Sequence, residues 1–276
     1  MQEIRVSRFE VLPPVIKNII IINVLVFMAQ KVFGNSDFIN MEDTFALHTW
    51  QSPLFKPWQF LTYMFMHGSI DHIFFNMLAL WMFGSTLENL WGPKKFLTFY
   101  LICGLGAALA HMVALYYGTH EFINSATQLL NNFDQGHFQN FYAKYNMEGR
   151  LTEEGIKKVE QWYLDPGNRE LRGNMYAMTQ GFVESKINEP TLGASGAVFG
   201  CLAAFGYLFP NTYIYMYFMM PIKAKWLVLA YAGVELLQAI ENSAGDNVAH
   251  IAHLGGALFG LILVYFWNKT NRKTFY

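Results

Sequence analysis

Six apolar runs dominate this 276-residue chain, at 18–33, 60–83, 96–117, 194–209, 226–241 and 248–267. A helix needs about 20 apolar residues to cross a hydrocarbon core of about 30 Å, so runs like these read as membrane spans. Composition supports this, because only 14% of residues are charged, against about 25% in soluble domains. The expectation is an all-α, polytopic membrane protein with six transmembrane helices and the lipid bilayer as its surroundings. The first run has no small-residue cleavage site and reads as a retained span. A net charge of −1 without a basic stripe speaks against nucleic acid as a partner. Cys103 and Cys201 both lie in apolar runs, so no disulfide framework is expected.

The runs divide the chain into an N-terminal segment 1–17, a membrane domain of 18–117 and 191–268, an insertion 118–190 and a tail 269–276. Arg5, Arg8, Lys17, Lys94, Lys95, Lys223, Lys225, Lys269, Arg272 and Lys273 all fall on one side of the six spans. The insertion on the other side has ten acidic residues against seven basic ones. The positive-inside rule then places both termini in the cytoplasm and the insertion outside, in a bacterial cytoplasmic (inner) membrane. The insertion reads as helical, with apolar stripes at Phe138, Phe141, Tyr142 and Tyr145, at Ile156, Val159 and Tyr163, and at Leu171, Met175, Met178 and Phe182. Thr152 is placed to cap the second of these helices, and Pro166-Gly167 to end it.

Three stretches carry chemistry. Thr191-Leu192-Gly193-Ala194-Ser195-Gly196 opens the fourth run and puts a hydroxyl at a helix N-terminus, where free backbone N–H groups favour an anion. That run is short, so its outer end is expected below the membrane surface. His253, Gly256, Ala257 and Gly260 form a smooth face on the sixth run. Gly196 and Gly200 offer a matching face on the fourth. His72 and Asn76 share one face of the second run, while the helical rotation points His67 away from them. A serine held against a histidine is a nucleophile beside its base. Glu235, midway through the fifth run, is the one candidate for a third member. A packing or hydrogen-bonding role is preferred for it, so a dyad is expected. A metal site on His67, His72, His250 and His253 is rejected because His253 cannot be both ligand and base, and no metal or cofactor is expected.

The order and spacing of these pieces resemble the rhomboid family of intramembrane serine proteases. The resemblance rests on His67, His72 and Asn76, on Gly193-Ala194-Ser195-Gly196, and on Ala252-His253-Leu254-Gly255-Gly256 with Gly260. It implies a rhomboid-type bundle with a helical extracytoplasmic insertion between helices 3 and 4. It implies Ser195 as nucleophile and His253 as base. His72 and Asn76, with the Ser195 backbone N–H, would form the oxyanion hole. His67 and His250 would support the site, with Gly196 and Gly256 bringing the helices together. Phe199 stands where the family often has an aromatic hydroxyl, and keeps the stacking on the histidine. Trp58-Gln59 replaces a Trp-Arg pair, and the insertion exceeds the family's usual link. The implied substrates are single-span membrane proteins cut by a serine endopeptidase. The alternatives are a catalytically silent rhomboid-like protein that binds membrane partners, and a transporter, against which the lack of an internal repeat argues.

Overall fold

The computed structural model describes residues 9–34, 40–216, 220–241 and 247–271. Arg5, Arg8, Arg272 and Lys273, used above for orientation, lie outside the described residues. The architecture is all-α, of the polytopic membrane type. Helix α1 is Pro14–Phe33. Helix α2, Ile70–Ala79, runs through a π-helical turn, Leu80–Gly84, into α3, Ser85–Trp91. Helix α4 is Pro93–Asn131. Helices α5 (Gln135–Lys144), α6 (Glu153–Leu164) and α7 (Arg169–Ile187) follow. Helix α8 (Ser195–Leu208) leads through a hairpin of β1 (Tyr213–Met216) and β2 (Met220–Lys223) to α9 (Ala224–Glu241) and α10 (Asn247–Asn271). The hairpin is antiparallel, with Ile214 opposite Ile222.

Among the described residues, Pro14–Phe33, Pro93–Asn131 and His250–Lys269 are long and apolar enough to cross a membrane. Helix α8 has only 14 residues, about 21 Å of rise, and falls short of a 30 Å hydrocarbon core.

The second span differs from the expectation of 60–83. Residues Gln59–Thr62 and Tyr63–Phe65 form short turns, and the long helix begins only at Ile70. Ser69 stops the helix from starting earlier: its extended backbone frees the side chain to accept the His72 N–H at 3.1 Å. The apolar residues before it pack inward instead, with Tyr63, Met64 and Met66 buried. The helix then continues to Trp91, where Gly92 at φ +80° supplies the left-handed residue that ends it. Glu88, buried on α3, caps a different helix. Its two carboxylate oxygens accept the Val15 and Ile16 N–H groups at 2.9 Å each, placing negative charge at the N-terminus of α1.

The contacts divide the chain into two compact units. The first is Met1–Leu47, Lys56–Met112 and Pro190–Tyr276; the second is His48–Phe55 and Val113–Glu189. Within the first unit α8 and α10 meet along glycines. A Cβ on Gly260 would lie 2.9 Å from the Gly200 carbonyl oxygen, and one on Gly256 would lie 2.6 Å from the Gly196 carbonyl carbon. Only residues without a side chain permit that approach.

In the second unit Phe122, Phe138, Phe141, Trp162, Met175 and Phe182 form a buried aromatic core. Phe122, Ala126 and Leu129 recur at helical spacing, which explains why α4 continues past residue 117 to Asn131. Thr152 caps α6 as expected, accepting the Gly155 N–H at 3.2 Å. On α6, Trp162 rather than Tyr163 occupies the centre of the core, one position along from the expected stripe. Asp134 and Asn168 cap α5 and α7.

Candidate active site

Ser195 is the first residue of α8, and the Val198 N–H bonds to the Ala194 carbonyl at 3.1 Å. The N–H groups of Ser195, Gly196 and Ala197 therefore have no acceptor within their own helix. The approach to Ser195 is anchored on both sides. Thr191 pairs with Leu47 through two backbone bonds of 2.8 Å, and its hydroxyl meets His111 Nε2 at 2.6 Å. The Gly193 N–H donates to the Tyr63 carbonyl at 3.0 Å. Gly193 has φ +132°, where a side chain is strained, and a Cβ there would also stand 2.8 Å from the His72 ring. Glycine at 193 thus lets the His72 imidazole come up beside the serine.

His253 Nε2 is 2.7 Å from Ser195 Oγ. Phe199, one helical turn after the serine, lies parallel over the His253 ring at 4.3 Å and 3°. Phe199 therefore occupies the stacking position that the resemblance assigns to it. Asn76 is buried, one turn after His72, and among the described residues its Nδ2 donates to no protein atom. Buried polar groups are seldom left so, and a free donor suits a site where negative charge develops.

His67 is not where the helical rotation put it. It lies before α2, and its ring meets His72 edge-on at 5.0 Å. Its backbone is clamped by Gln30 of α1, which accepts the His67 N–H at 2.9 Å and donates to its carbonyl at 3.2 Å.

Glu235 of α9 has the hydrogen bond that the sequence allowed it, and its partners are histidines of α10. Its Oε2 lies 2.6 Å from His250 Nδ1 and 3.0 Å from His253 Nδ1. Each of these three residues brings a ligand atom within 4.8 Å of the others, a nitrogen and oxygen donor set of the type zinc accepts. His253 can serve as ligand or as base, and its contact with Ser195 favours the base. The features missed from the sequence are Gln30, Tyr63 and His111. The Tyr63 hydroxyl donates to the Gly104 carbonyl at 2.7 Å. None of the three carries a sequence signal, since each acts through contacts between distant segments.

A family model described as "Rhomboid domain" matches residues 54–124 and 171–269, more than half of the chain. The chain belongs to the rhomboid family. This rhomboid is 25% identical over 261 residues to RHOMBOID-like protein 12, mitochondrial, of Arabidopsis thaliana, covering 95% of this chain and 60% of that protein. It is 26% identical over 214 residues to Rhomboid protein 1, mitochondrial, of Saccharomyces cerevisiae, covering 76% and 41%. It is 32% identical over 111 residues to Rhomboid protease AarA of Providencia stuartii, covering 39% and 38%. The chain thus spans less than two thirds of the length of these relatives. The rhomboid match leaves out residues 125–170, the middle of the second unit.

Proposed function

We propose that this rhomboid is an intramembrane serine endopeptidase that hydrolyses peptide bonds in or near the transmembrane segments of single-span membrane proteins. The observation that carries the reading is the 2.7 Å contact between Ser195 Oγ and His253 Nε2 at the start of a short, apolar helix. On this reading Ser195 attacks the scissile carbonyl while His253 takes its proton. His253 then returns the proton to the leaving amine, and water repeats the sequence on the acyl-enzyme. The oxyanion is held by Asn76 Nδ2, His72 and the Ser195 backbone N–H; each such donor is worth about a hundredfold or more in rate.

The proposed membrane domain is 18–117 with 191–268, as six spans in a bacterial cytoplasmic membrane. The termini are cytoplasmic, and the 118–190 insertion and the mouth of the site face outward. The lysines and arginines at 94–95, 223–225 and 269–273 support that orientation.

The test is labelling of the purified protein with a fluorescent fluorophosphonate, beside cleavage of a single-span test substrate in proteoliposomes. Labelling and cleavage are expected in the parent and absent in Ser195→Ala and His253→Ala. A folded parent that neither labels nor cleaves above the Ser195→Ala level would refute the reading and leave a partner-binding rhomboid.

A further inference from the structure

We propose that Glu235 is a positioning residue for His253. Its carboxylate holds Nδ1 of the imidazole so that Nε2, the nitrogen bearing the lone pair, faces Ser195, and His250 holds the carboxylate. The inference rests on the serine-protease reading above and turns the expected dyad into a triad of Ser195, His253 and Glu235.

A carboxylate in the middle of a membrane helix is unfavourable unless it is paired. Glu235 is buried, and among the described residues its ion pairs are with His250 and His253. Both histidines lie one turn apart on α10, so a single oxygen, Oε2, addresses two Nδ1 atoms. The two contacts differ. His250 Nδ1 makes a hydrogen bond of 2.6 Å. His253 Nδ1 comes within 3.0 Å, but its N–H is aimed to one side of Oε2. A small turn of the His253 ring would align it.

That remaining motion is the one the rest of the site leaves open. Phe199, parallel to the ring at 4.3 Å, prevents tilting but lets the imidazole slide and turn in its own plane. Ser195 on Nε2 restrains one edge, and Glu235 on Nδ1 restrains the opposite edge. A neutral imidazole has one N–H, and a carboxylate beside Nδ1 draws it there. Nε2 is then an acceptor, as a base must be. During reaction the proton passes from Ser195 Oγ to His253 Nε2 and on to the leaving amine. None passes to Glu235, whose charge stabilises the imidazolium in between.

The experiment compares steady-state cleavage of a single-span substrate in proteoliposomes by the parent, Glu235→Gln, Glu235→Asp and Glu235→Ala, with Ser195→Ala as baseline. Glu235→Gln keeps the size but removes the charge that stabilises the imidazolium, and its amide nitrogen, set where Oε2 faces both Nδ1 atoms, would donate to them and drive the His253 proton onto Nε2. It is expected to lose about a hundredfold to ten-thousandfold in kcat with KM little changed. Glu235→Asp is expected to recover part of the loss, and added formate to restore part of the Glu235→Ala rate. A purely structural pairing would lower the folded fraction, leave kcat per folded molecule alone and give no response to formate. A Glu235→Gln enzyme with parental kcat overturns the proposal.

A second measurement needs no variant. Nitrogen-15 histidine spectra of the parent are expected to show His253 protonated on Nδ1, and a proton on Nε2 instead would overturn the proposal. If the parent cleaves no faster than Ser195→Ala, the protease reading fails, while the spectrum still judges the contact with Glu235.

Discussion

Consider the addition of one methyl group at Gly256, a residue with no functional atom of its own. In Gly256→Ala the new Cβ would stand 2.6 Å from the Gly196 carbonyl carbon and 3.1 Å from its Cα, and closer still to its carbonyl oxygen. All three atoms are backbone, so no rotamer change relieves the clash. The carbonyl oxygen is the nearest atom, and restoring an ordinary contact of about 3.5 Å to it requires α8 and α10 to part by roughly 1.5 Å. Gly196 follows Ser195 directly, and Gly256 lies one turn after His253, so the separation falls on the 2.7 Å contact between them. A displacement of about 1 Å at reacting groups costs about a hundredfold in rate. Overpacking of this kind destabilises by about 1–3 kcal/mol, which leaves a folded protein to measure. The assay is the rate of fluorophosphonate labelling in detergent, with the thermal midpoint recorded on the same sample. Gly233→Ala is the control, since a Cβ there meets nothing within 4 Å. Gly256→Ala is expected to label about a hundredfold more slowly, and Gly233→Ala like the parent. Parental labelling by Gly256→Ala, with a parental midpoint, would refute the argument that backbone contact sets the site.

The second unit offers two further tests. Asn168 accepts the Glu170 and Leu171 N–H groups at 3.0 and 3.1 Å; Asn168→Ala is expected to destabilise this unit by about 1 kcal/mol, read as faster amide exchange in α7 with labelling of Ser195 unchanged. The His137 backbone N–H holds the Asp134 carboxyl below the usual carboxylate range, and the Lys158 ammonium does the same for Glu154. A carboxyl depressed on folding supports the fold above its unfolded pKa of about 4 and loses that support as pH falls through the lower folded value. Exchange protection in α5 and α6, corrected for the intrinsic rate, should therefore hold from pH 7 to about pH 5 and fall below about pH 4, modestly because the groups are exposed. Protection that rises with acid would contradict this.

Ser195, His253 and the glycine faces were legible because each rests on spacing within one helix. Gly196 with Gly200, and Gly256 with Gly260, are four apart, and that pattern requires close packing whatever the partner. The start of the second span was misplaced because an apolar run records burial, not conformation. Tyr63, Met64 and Met66 are buried without belonging to a long helix, and the helix obeys the local signal of Ser69 and Asp71. His67 went astray for the same reason, since its expected direction assumed a helix that had not yet begun. Glu235 was undervalued because nothing on its own helix explains it, and its partners arrive fifteen and eighteen residues later on α10. A lone acid mid-span facing a pair of histidines three apart is a usable signal, provided the two helices are assumed to be neighbours. Gln30, Tyr63 and His111 could not have been found that way, because their roles are contacts with particular atoms of distant segments: backbone for Gln30 and Tyr63, the Thr191 hydroxyl for His111.

The glycine seam between α8 and α10 also has a mechanical meaning. One point of contact between two rods leaves a pivot. Two points, Gly256 on Gly196 and Gly260 on Gly200, a turn apart, remove it and lock both height and tilt. Such a seam has no side chains to rattle between rotamers, so its tolerance is that of the main chain itself. A bilayer that thins, thickens or shears around the protein can rock this pair as one rigid bar. The gap between hydroxyl and imidazole would ride along unchanged, like two jaws cut from a single casting.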